Sequence, residues 1–273
     1  MPSKKVLIIG LGEVGLAMYN IVRGAGYRVY GYDIDSARTI NKLEEIEIPV
    51  NIMHICYPYT ESFVQTAVTY IKRFKPELVL IESTVPPGTT EEIYSRVGVD
   101  VAHSPIRGKH PHLEKHIKFW TKWVGPTTPE AGRKAKEYYE SLGLKVRIAR
   151  SSRETELAKL IETTYRALLI AWWQEMHRMA KTFNASIAEV AEFIAEVHRV
   201  LNDRPVYYPD FIGGHCLIPN TYIMRKVYSS PIWDFIIESN KKRAKEILDP
   251  EISKEIQALR KIWLRLTSEW YYK

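Results

Sequence analysis

Short apolar runs alternate with longer amphipathic stretches over the first 150 residues of the chain. Each apolar run ends at a glycine, an acid or another polar residue, which is typical of strands buried in a parallel sheet. We predict strands at residues 6–9, 28–33, 51–56, 77–82, 99–103, 119–124 and 145–149. Helices are predicted at residues 14–24, 60–74 and 129–142, with a further short helix capped by Ser36. Strands and helices that alternate in such short units predict an α/β fold with a doubly wound parallel sheet.

The pattern changes after residue 150. Apolar side chains from residue 153 to about 183 cover more than one face of a single long predicted helix, which is therefore buried on several sides. Further helices are predicted at residues 186–200, with Ser186 as N-cap, and towards the C-terminus, interrupted at Pro231 and Pro250. We therefore predict two domains, residues 1–150 and an all-helical domain at residues 151–273. Because the second domain is small, we expect a second copy of the chain to cover the long helix in a homodimer.

The first predicted strand runs into a glycine-rich turn with the spacing G-x-G-x-x-G. The residues of this turn are Gly10, Leu11, Gly12, Glu13, Val14 and Gly15. Gly10 permits a tight turn, Gly12 lets the backbone approach a pyrophosphate, and Gly15 lets the helix pack on the strand. The second strand ends at Asp33, where an acid suits the ribose hydroxyls of NAD and repels the 2′-phosphate of NADP. We therefore predict a Rossmann-like domain whose cofactor is NAD, the alternative being three glycines that serve packing alone.

Two more loops come after predicted strands at the same edge of the sheet. Tyr57 and Pro58 come after the third strand, and Ser83 and Thr84 begin a turn after the fourth. Ligands of doubly wound sheets bind beyond the carboxyl ends of the strands, so we expect these four residues to contact the cofactor. The hydroxyls of Ser83 and Thr84 are expected near the nicotinamide. The alternative is a rigid proline turn without chemistry.

The formal charge of +7 is consistent with a solvated basic surface or with attraction of anionic ligands. The chain has no run of five or six like charges and no apolar run of transmembrane length, so we expect neither a nucleic-acid partner nor a membrane. His112 and His116 stand at metal-ligand spacing, but nothing nearby completes a site and we predict no metal. Two cysteines in different contexts, Cys56 and Cys216, favour a reducing compartment. With no signal peptide expected, we predict a cytoplasmic protein.

Three motifs occur in order along the chain, with a fourth short one between the last two. They are the glycine turn with Asp33, the segment E-S-T-V-P-P-G-T-T at 82–90, the segment E-L-A-K at 156–159, and G-G-H-C at 213–216. In this combination the sequence resembles the UDP-glucose/GDP-mannose dehydrogenase family over residues 4 to about 225. The resemblance implies oxidation of a sugar or nucleotide-sugar alcohol by NAD and a dimer built on the long central helix. It also implies a further substrate-nucleotide domain, and we expect this chain to be a short form without it.

The resemblance implies catalytic roles for three residues. Cys216 falls on the thiol that attacks the aldehyde formed by the first hydride transfer, giving a thiohemiacetal, then a thioester that is hydrolysed to an acid. Lys159 falls on the lysine that stabilises negative charge on the substrate oxygen. Thr84 falls on the threonine that positions substrate and water. The alternatives are an inert buried thiol for Cys216 and a solvated helix lysine for Lys159.

Three positions depart from the family pattern. Ile106 stands where the family has an acid, and Thr163 and Asn220, which stay in the candidate catalytic set, replace an asparagine and an aspartate. An amide cannot accept a proton from water at neutral pH, and an isoleucine does no acid–base chemistry. Glu114 or a histidine of the loop at 103–116 is the nearest replacement base. Two alternatives to the full oxidation are a hydride-only dehydrogenase of the β-hydroxyacid type and a catalytically silent NAD-binding partner or regulator in polysaccharide synthesis.

Overall fold

The computed structural model of the protein describes residues 4–268 and Trp270. The chain divides into two compact units, one ending at Lys159 and the other beginning at Leu160. The division falls within the longest helix, α6 (Ser152–Thr182). In the described part of the chain, no helix combines the length and the apolar character that a bilayer span requires.

A seven-stranded sheet forms the centre of the first unit. Its strands are β1 (Lys5–Ile9), β2 (Arg28–Tyr32), β3 (Ile52–Ile55), β4 (Leu78–Ile81), β5 (Asp100–His103), β6 (Lys122–Pro126) and β7 (Val146–Ile148), in the order β2-β1-β3-β4-β5-β6-β7. The first five strands are parallel, β6 runs antiparallel to β5, and β7 runs parallel to β6. The predicted Rossmann-like α/β fold is confirmed, but the antiparallel β6 departs from the wholly parallel sheet that was predicted. The strand order reverses beside β1 and β3, which is where ligands of such sheets bind.

Helices cover both faces of this sheet. The first face carries α1 (Glu13–Gly24), α4 (Leu113–Phe119) and α5 (Pro129–Ser141), and the second carries α2 (Phe63–Phe74) and α3 (Thr89–Val97). The side chains of β1 alternate between the two cores, Val6 and Ile8 facing one and Leu7 and Ile9 the other. All four are almost completely buried, which explains why β1 reads as a continuous apolar run.

The predicted short helix after Ser36 is wrong, because this segment forms turns instead. The Asp33 carboxylate accepts a hydrogen bond from the main-chain N–H of Asp35, and the Asp35 carboxylate accepts one from the N–H of Ala37. Side-chain bonds of this kind compete with the main-chain bonds of a helix.

The predicted strand at 119–124 is also wrong at its start, since residues 113–119 form α4 and β6 begins only at Lys122. Leu113, His116 and Ile117 are buried at helical spacing, a signal that we overlooked. Helix α3 was likewise not predicted, because the prolines before it indicated only a turn.

Every regular element described in the second unit is a helix. Besides α6, these are α7 (Ile187–Leu201), α8 (Leu217–Val227), α9 (Pro231–Glu246) and α10 (Pro250–Leu266). Pro231 and Pro250 open their helices, where a missing amide hydrogen is tolerated, and the Ser186 hydroxyl caps α7 by accepting the Glu189 amide. The predicted long helix, the Ser186 cap and the interruptions at both prolines are confirmed. Two cores hold the unit together, one between α6, α7 and α10 and the other between α6, α8 and α9.

Candidate functional site

The glycine turn connects β1 to α1 at the point where the strand order reverses. Gly10 has a φ of +89°, and a methyl group there would lie 2.7 Å from the Tyr57 amide nitrogen. A methyl group on Gly15 would lie 1.7 Å from the Gly10 carbonyl oxygen. Both positions therefore require glycine for close backbone approach.

Gly12 is different, because the space beside its α-carbon is open. A methyl group on Gly12 would have Nη1 of Arg38 as its nearest neighbour, 3.9 Å away. Gly12 is also the N-cap of α1, and it has no side chain with which to cap the first amides of the helix. An open space before a helix N-terminus suits a pyrophosphate, so this turn can accommodate the pyrophosphate of a dinucleotide.

The Asp33 carboxylate is fixed in place by main-chain amides. Leu11, which is almost fully buried, donates its N–H to one oxygen at 2.6 Å, and Asp35 donates to the other at 2.9 Å. A carboxylate has about four lone-pair sites, so two remain for ribose hydroxyls. Arg38, 3.3 Å from Asp35, adds a cation beside the turn. Arg38 was not predicted from the sequence, although a cation five residues after the strand-end acid was a usable signal.

The histidine-rich loop after β5 packs against α1. His110 lies 3.7 Å from the Glu13 carboxylate, and Glu114 accepts the Asn20 amide at 2.7 Å. Glu114, one of the candidate replacement bases, thus has a contact on the surface of α1. The rings of His112 and His116 are 6.3 Å apart, edge to face. Among the residues that the structure describes, no cluster of three or more His, Cys, Asp or Glu side chains is arranged to hold a metal ion.

The ends of β3 and β4 are tied together by one hydroxyl. Ser83 donates to the Tyr57 carbonyl at 2.7 Å and lies 3.2 Å from the Ile55 carbonyl. The Tyr57 hydroxyl donates a hydrogen bond to the Phe63 carbonyl at 3.3 Å. Burial raises the pKa of this hydroxyl. Pro58 is exposed and Thr84 is half-buried. Ser83 and Tyr57 therefore support the edge of the crevice, while Thr84 retains surface there.

Glu156 holds the turn that comes after Thr84. Its carboxylate accepts the Gly88 amide at 2.7 Å, the Thr90 amide at 2.9 Å and the Thr90 hydroxyl at 2.6 Å. Gly88 has a φ of +96° and is the N-cap of α3, so Glu156 caps that helix from a distant part of the chain. Lys159 lies one turn further along α6 and is half-buried.

A buried charge cluster lies behind this edge, formed by Glu82, Lys122, His54 and Tyr139. Glu82 accepts hydrogen bonds from Lys122, from Tyr139 at 2.6 Å and from His54 at 2.9 Å. Burial acts to raise the pKa of Glu82, but the Lys122 charge and the His54 hydrogen bond outweigh it and lower that pKa to about 2. Lys122 also donates to the Ser104 carbonyl, so the pair fixes the ends of β4 and β5. Lys122 was not predicted from the sequence, where its signal was a lysine within an apolar strand.

His103 and Ile106 are both removed from solvent. Burial lowers the pKa of His103 to about 3, and its ring lies 2.8 Å from the Thr155 hydroxyl and 3.1 Å from the Ser83 carbonyl. Ile106 is only 6% exposed and belongs to the core that contains Leu113 and Ile117. His103 is thus a neutral structural imidazole near pH 7, and the position of the family acid is part of a hydrophobic core.

The second unit contains Cys216, Thr163 and Asn220. Cys216 is an exposed thiol and is the N-cap of α8, so it is not the buried group of the alternative interpretation. Asn220 is buried and donates to the Thr163 hydroxyl at 3.0 Å, and this hydroxyl donates to the Leu160 carbonyl at 3.0 Å. The two residues that replace the family's asparagine and aspartate are therefore hydrogen-bonded to each other.

The fold and the glycine turn define a class of protein: a Rossmann-type α/β unit joined to a helical unit. Residues 153–242 match the model of the UDP-glucose/GDP-mannose dehydrogenase family, central domain. The UDP-N-acetyl-D-mannosamine dehydrogenase of Methanocaldococcus jannaschii is 26% identical over 79% of this chain and 60% of its own length. The enzyme of that name from Pyrococcus horikoshii is 28% identical over 81% of this chain and 63% of its own. The chain is thus similar to this family in the matched central-domain segment and to two dehydrogenases over about four fifths of its length.

Solved structures agree on the fold. The UDP-D-ManNAc dehydrogenase of Pyrococcus horikoshii has a TM-score of 0.78 at 22% identity, covering 88% of this chain and 69% of that one. The 3-hydroxyisobutyrate dehydrogenase of Mycobacterium tuberculosis has a TM-score of 0.67 at 18% identity, covering 94% and 99%. The chain spans about three fifths of the length of the curated relatives it matches.

Proposed function

We propose that the chain is an NAD-dependent oxidoreductase acting on a sugar or nucleotide-sugar alcohol. The observation that carries the proposal is the open space before Gly12, framed by the turn at 10–15 and by the Asp33 carboxylate. Relatives named for oxidation of a UDP-linked N-acetylmannosamine support the substrate class.

The cofactor, when bound, accepts a hydride from the substrate carbon. The first amides of α1 would hold its pyrophosphate, and Asp33 would accept the ribose hydroxyls in preference to a 2′-phosphate. Arg38 would contact the same end of the cofactor, and Tyr57, Pro58, Ser83 and Thr84 would line the crevice beyond β3 and β4. The residues of the chain thus bind and orient the cofactor without themselves taking part in electron transfer.

Three side chains of the chain are proposed to act on the substrate. Lys159 stabilises negative charge on the substrate oxygen while the hydroxyl proton passes to water, and Thr84 positions the substrate. Once an aldehyde has formed, the Cys216 sulfur bonds to its carbon and the thiol proton passes to its oxygen, which gives a thiohemiacetal. Transfer of a second hydride to a second molecule of NAD, with loss of the hydroxyl proton to water, gives a thioester, which water cleaves to the acid and the free thiol.

The last step is expected to be slow in this chain. Asn220 donates its amide to Thr163, and Ile106 is buried in a core, so neither position supplies a base for water. We therefore propose that the substrate stalls as a thioester, after at most two hydrides per active site from an alcohol or one from an aldehyde. Fast multiple turnover to free acid would contradict this.

The test counts NADH formed per substrate across a panel of nucleotide sugars, followed by intact-protein mass spectrometry. A stalled thioester adds the acyl mass at Cys216, and C216S abolishes this adduct while the first hydride step remains. No NADH with any sugar alcohol, despite bound NAD, would favour a silent NAD-binding protein instead.

A hydride-only dehydrogenase of the β-hydroxyacid type is the second candidate. The buried Thr163–Asn220 pair favours it, since it leaves the first oxidation possible without supplying a base for the second. In that case NADH forms from a hydroxyacid or sugar alcohol, and C216S oxidises its substrate as fast as the unmodified protein.

We further propose that residues 151–273 form a dimerisation domain built across α6. Exposed apolar side chains on that helix support this proposal. A cytoplasmic location stays a prediction, supported by an exposed thiol that suits a reducing compartment.

A further inference from the structure

The segment that leads into Cys216 is held by the side chain of Asn240 on α9. The Ile212 amide donates to Oδ1 of Asn240 at 2.7 Å, and Nδ2 of Asn240 donates to the Ile212 carbonyl at 3.1 Å. Ile212 and Asn240 are 5% and 6% exposed, so both hydrogen bonds lie away from water. One amide side chain thereby satisfies the donor and the acceptor of the same residue, as a neighbouring strand would.

The side-chain amide of Gln174 holds the same segment two residues earlier, at Asp210. Gln174 on α6 is fully buried and donates to the Asp210 carbonyl at 2.7 Å. The same amide nitrogen lies 3.4 Å from Oδ1 of Asn240. The Ile212 side chain packs in the core that contains Ala171 and Ile236. Residues 210 and 212 are therefore fixed by α6 and α9 through both main chain and side chain.

The two residues that come after Ile212, the residue anchored by Asn240, have little conformational preference of their own. They are Gly213 and Gly214, and Gly214 has a φ of +77°. Glycine gives a chain many accessible conformations, so the position of the next residues depends on where the segment is anchored. Cys216 lies four residues after Ile212, at the N-cap position of α8.

We propose that Asn240 is a positioning residue for Cys216, holding the segment at 210–216 in the conformation that presents the thiol. The proposal rests on the proposed function, in which Cys216 is the nucleophile. Asn240 itself touches neither substrate nor cofactor in this account and acts only through the main chain of Ile212.

The test uses the full chain and three variants. N240A removes both hydrogen bonds to Ile212, whereas N240D carries a carboxyl group that reproduces both when protonated and repels the Ile212 carbonyl when ionised. S239A is the matched control, because Ser239 is equally buried and bonds to the Ala171 carbonyl and the Gln174 side chain while leaving Asn240 in place.

Hydrogen exchange of the Ile212 amide, whose N–H bonds to Asn240, is the first measurement. N240A is expected to speed the exchange of this amide by about tenfold or more, as loss of two buried hydrogen bonds implies, and S239A by less than threefold. N240D should match the unmodified protein near pH 5 and approach N240A near pH 8, after correction for intrinsic exchange. Equal effects of N240A and S239A, or no pH dependence in N240D, would overturn the proposal.

The rate of the thiol-dependent hydride step is the second measurement, followed as NADH formed in a single turnover of a substrate that the unmodified protein oxidises. N240A is expected to lower the rate constant of this step by about tenfold while the substrate concentration for half-maximal rate changes less than threefold, and N240D should recover at low pH. A loosened segment with an unchanged rate constant would overturn the positioning role. If no substrate is oxidised, the proposed function fails, and the exchange data still decide whether Asn240 anchors the segment. If N240A fails to fold, the comparison of N240D at low and high pH still tests the proposal.

Discussion

Asp33 serves two parts of the chain at once. Its two oxygens accept the amides of Leu11 in the glycine turn and Asp35 in the following loop. A cofactor ribose would therefore meet a carboxylate that is already oriented, with little ordering left to occur on binding. The same contacts mean that removing the whole side chain would disturb the turn as well as the charge.

Asp33→Asn removes the charge and keeps the size. We expect NAD affinity to fall by about tenfold, as loss of a charge-assisted hydrogen bond implies, and the preference for NAD over NADP to narrow. Titration calorimetry with both cofactors measures this. Glu140→Gln is the control, because Glu140 is an exposed acid on α5, outside the turn, and its loss should leave the preference unchanged. Equal affinity of the unmodified protein for NAD and NADP would refute the prediction.

His103 gives the first unit a pH dependence. Burial lowers the pKa of His103 to about 3, whereas an unfolded histidine binds its proton near pH 6.5. The contribution of neutral His103 to the free energy of unfolding is thus fully present above about pH 6.5 and is lost progressively as pH falls towards 3. Over that window this group should lower the free energy of unfolding by about 1.4 kcal/mol per pH unit.

Urea unfolding at pH 7.5 and pH 5.5 measures this loss. His103→Asn should reduce the difference between the two pH values, while His112→Asn, on an exposed histidine, should not. An unchanged difference in the first variant would show that His103 is not the group responsible.

At the scale of elements, Glu156 joins the N-terminal part of α6, one turn in from its start, to the N-terminus of α3. Glu156→Gln keeps the shape but can offer only one acceptor oxygen where the carboxylate offers two. We expect the free energy of unfolding to fall by about 2–3 kcal/mol, the cost of leaving buried donors poorly satisfied. Chemical denaturation checks this, with the exposed Glu196→Gln as a control expected to stay within about 0.5 kcal/mol. Similar effects of both variants would contradict the capping role.

The sequence predicted the elements whose pattern is dictated by burial on both faces. Strands β1 to β5 read as apolar runs because helices cover both sides of the sheet. A repeating pattern carries no strand direction, so the antiparallel β6 could not be predicted from it. The turns after β2 depend on hydrogen bonds that nearby amides donate to the carboxylates of Asp33 and Asp35, which local helix signals do not reveal.

The candidate site also combines features that the local sequence predicts with contacts that only the tertiary fold creates. The glycine turn and Asp33 were found from spacing, because the backbone demands at Gly10 and Gly15 are local. The Glu82–Lys122 pair and the contact of Asn240 with Ile212 join residues 40 and 28 positions apart. Contacts at such separations result from the tertiary fold, and no single-sequence pattern encodes them.

On the scale of the whole molecule, the second unit leaves an apolar stripe on α6. Its exposed members are Ile161, Tyr165, Trp172 and Met179, with Phe183 directly after the end of the helix. Their spacings of 4, 7, 7 and 4 residues place them on one face of the helix. A contiguous exposed stripe of this kind marks an association surface more often than a free one.

Trp172→Glu places a charge in the middle of this stripe. We expect the unmodified protein to be a dimer at micromolar concentration and the variant to be a monomer, with affinity lowered by at least about a hundredfold. Light scattering gives the mass. Phe193→Glu, on an exposed face of α7, is the matched control and should remain a dimer. A monomeric unmodified protein would refute the prediction, and dissociation caused only by Phe193→Glu would place the interface on α7.

The Glu82–Lys122 pair also limits how this sequence can change over generations. Replacing either partner alone leaves a buried charge unpaired, at a cost of about 3–5 kcal/mol, against a total stability of about 5–15 kcal/mol for a typical domain. Replacing both with apolar residues removes both charges, but it also leaves the buried donors His54 and Tyr139 without their acceptor on Glu82. The acceptable alternative therefore lies at least two mutations away, across an intermediate that folds poorly. We expect descendants of this gene to keep both residues or to lose both together.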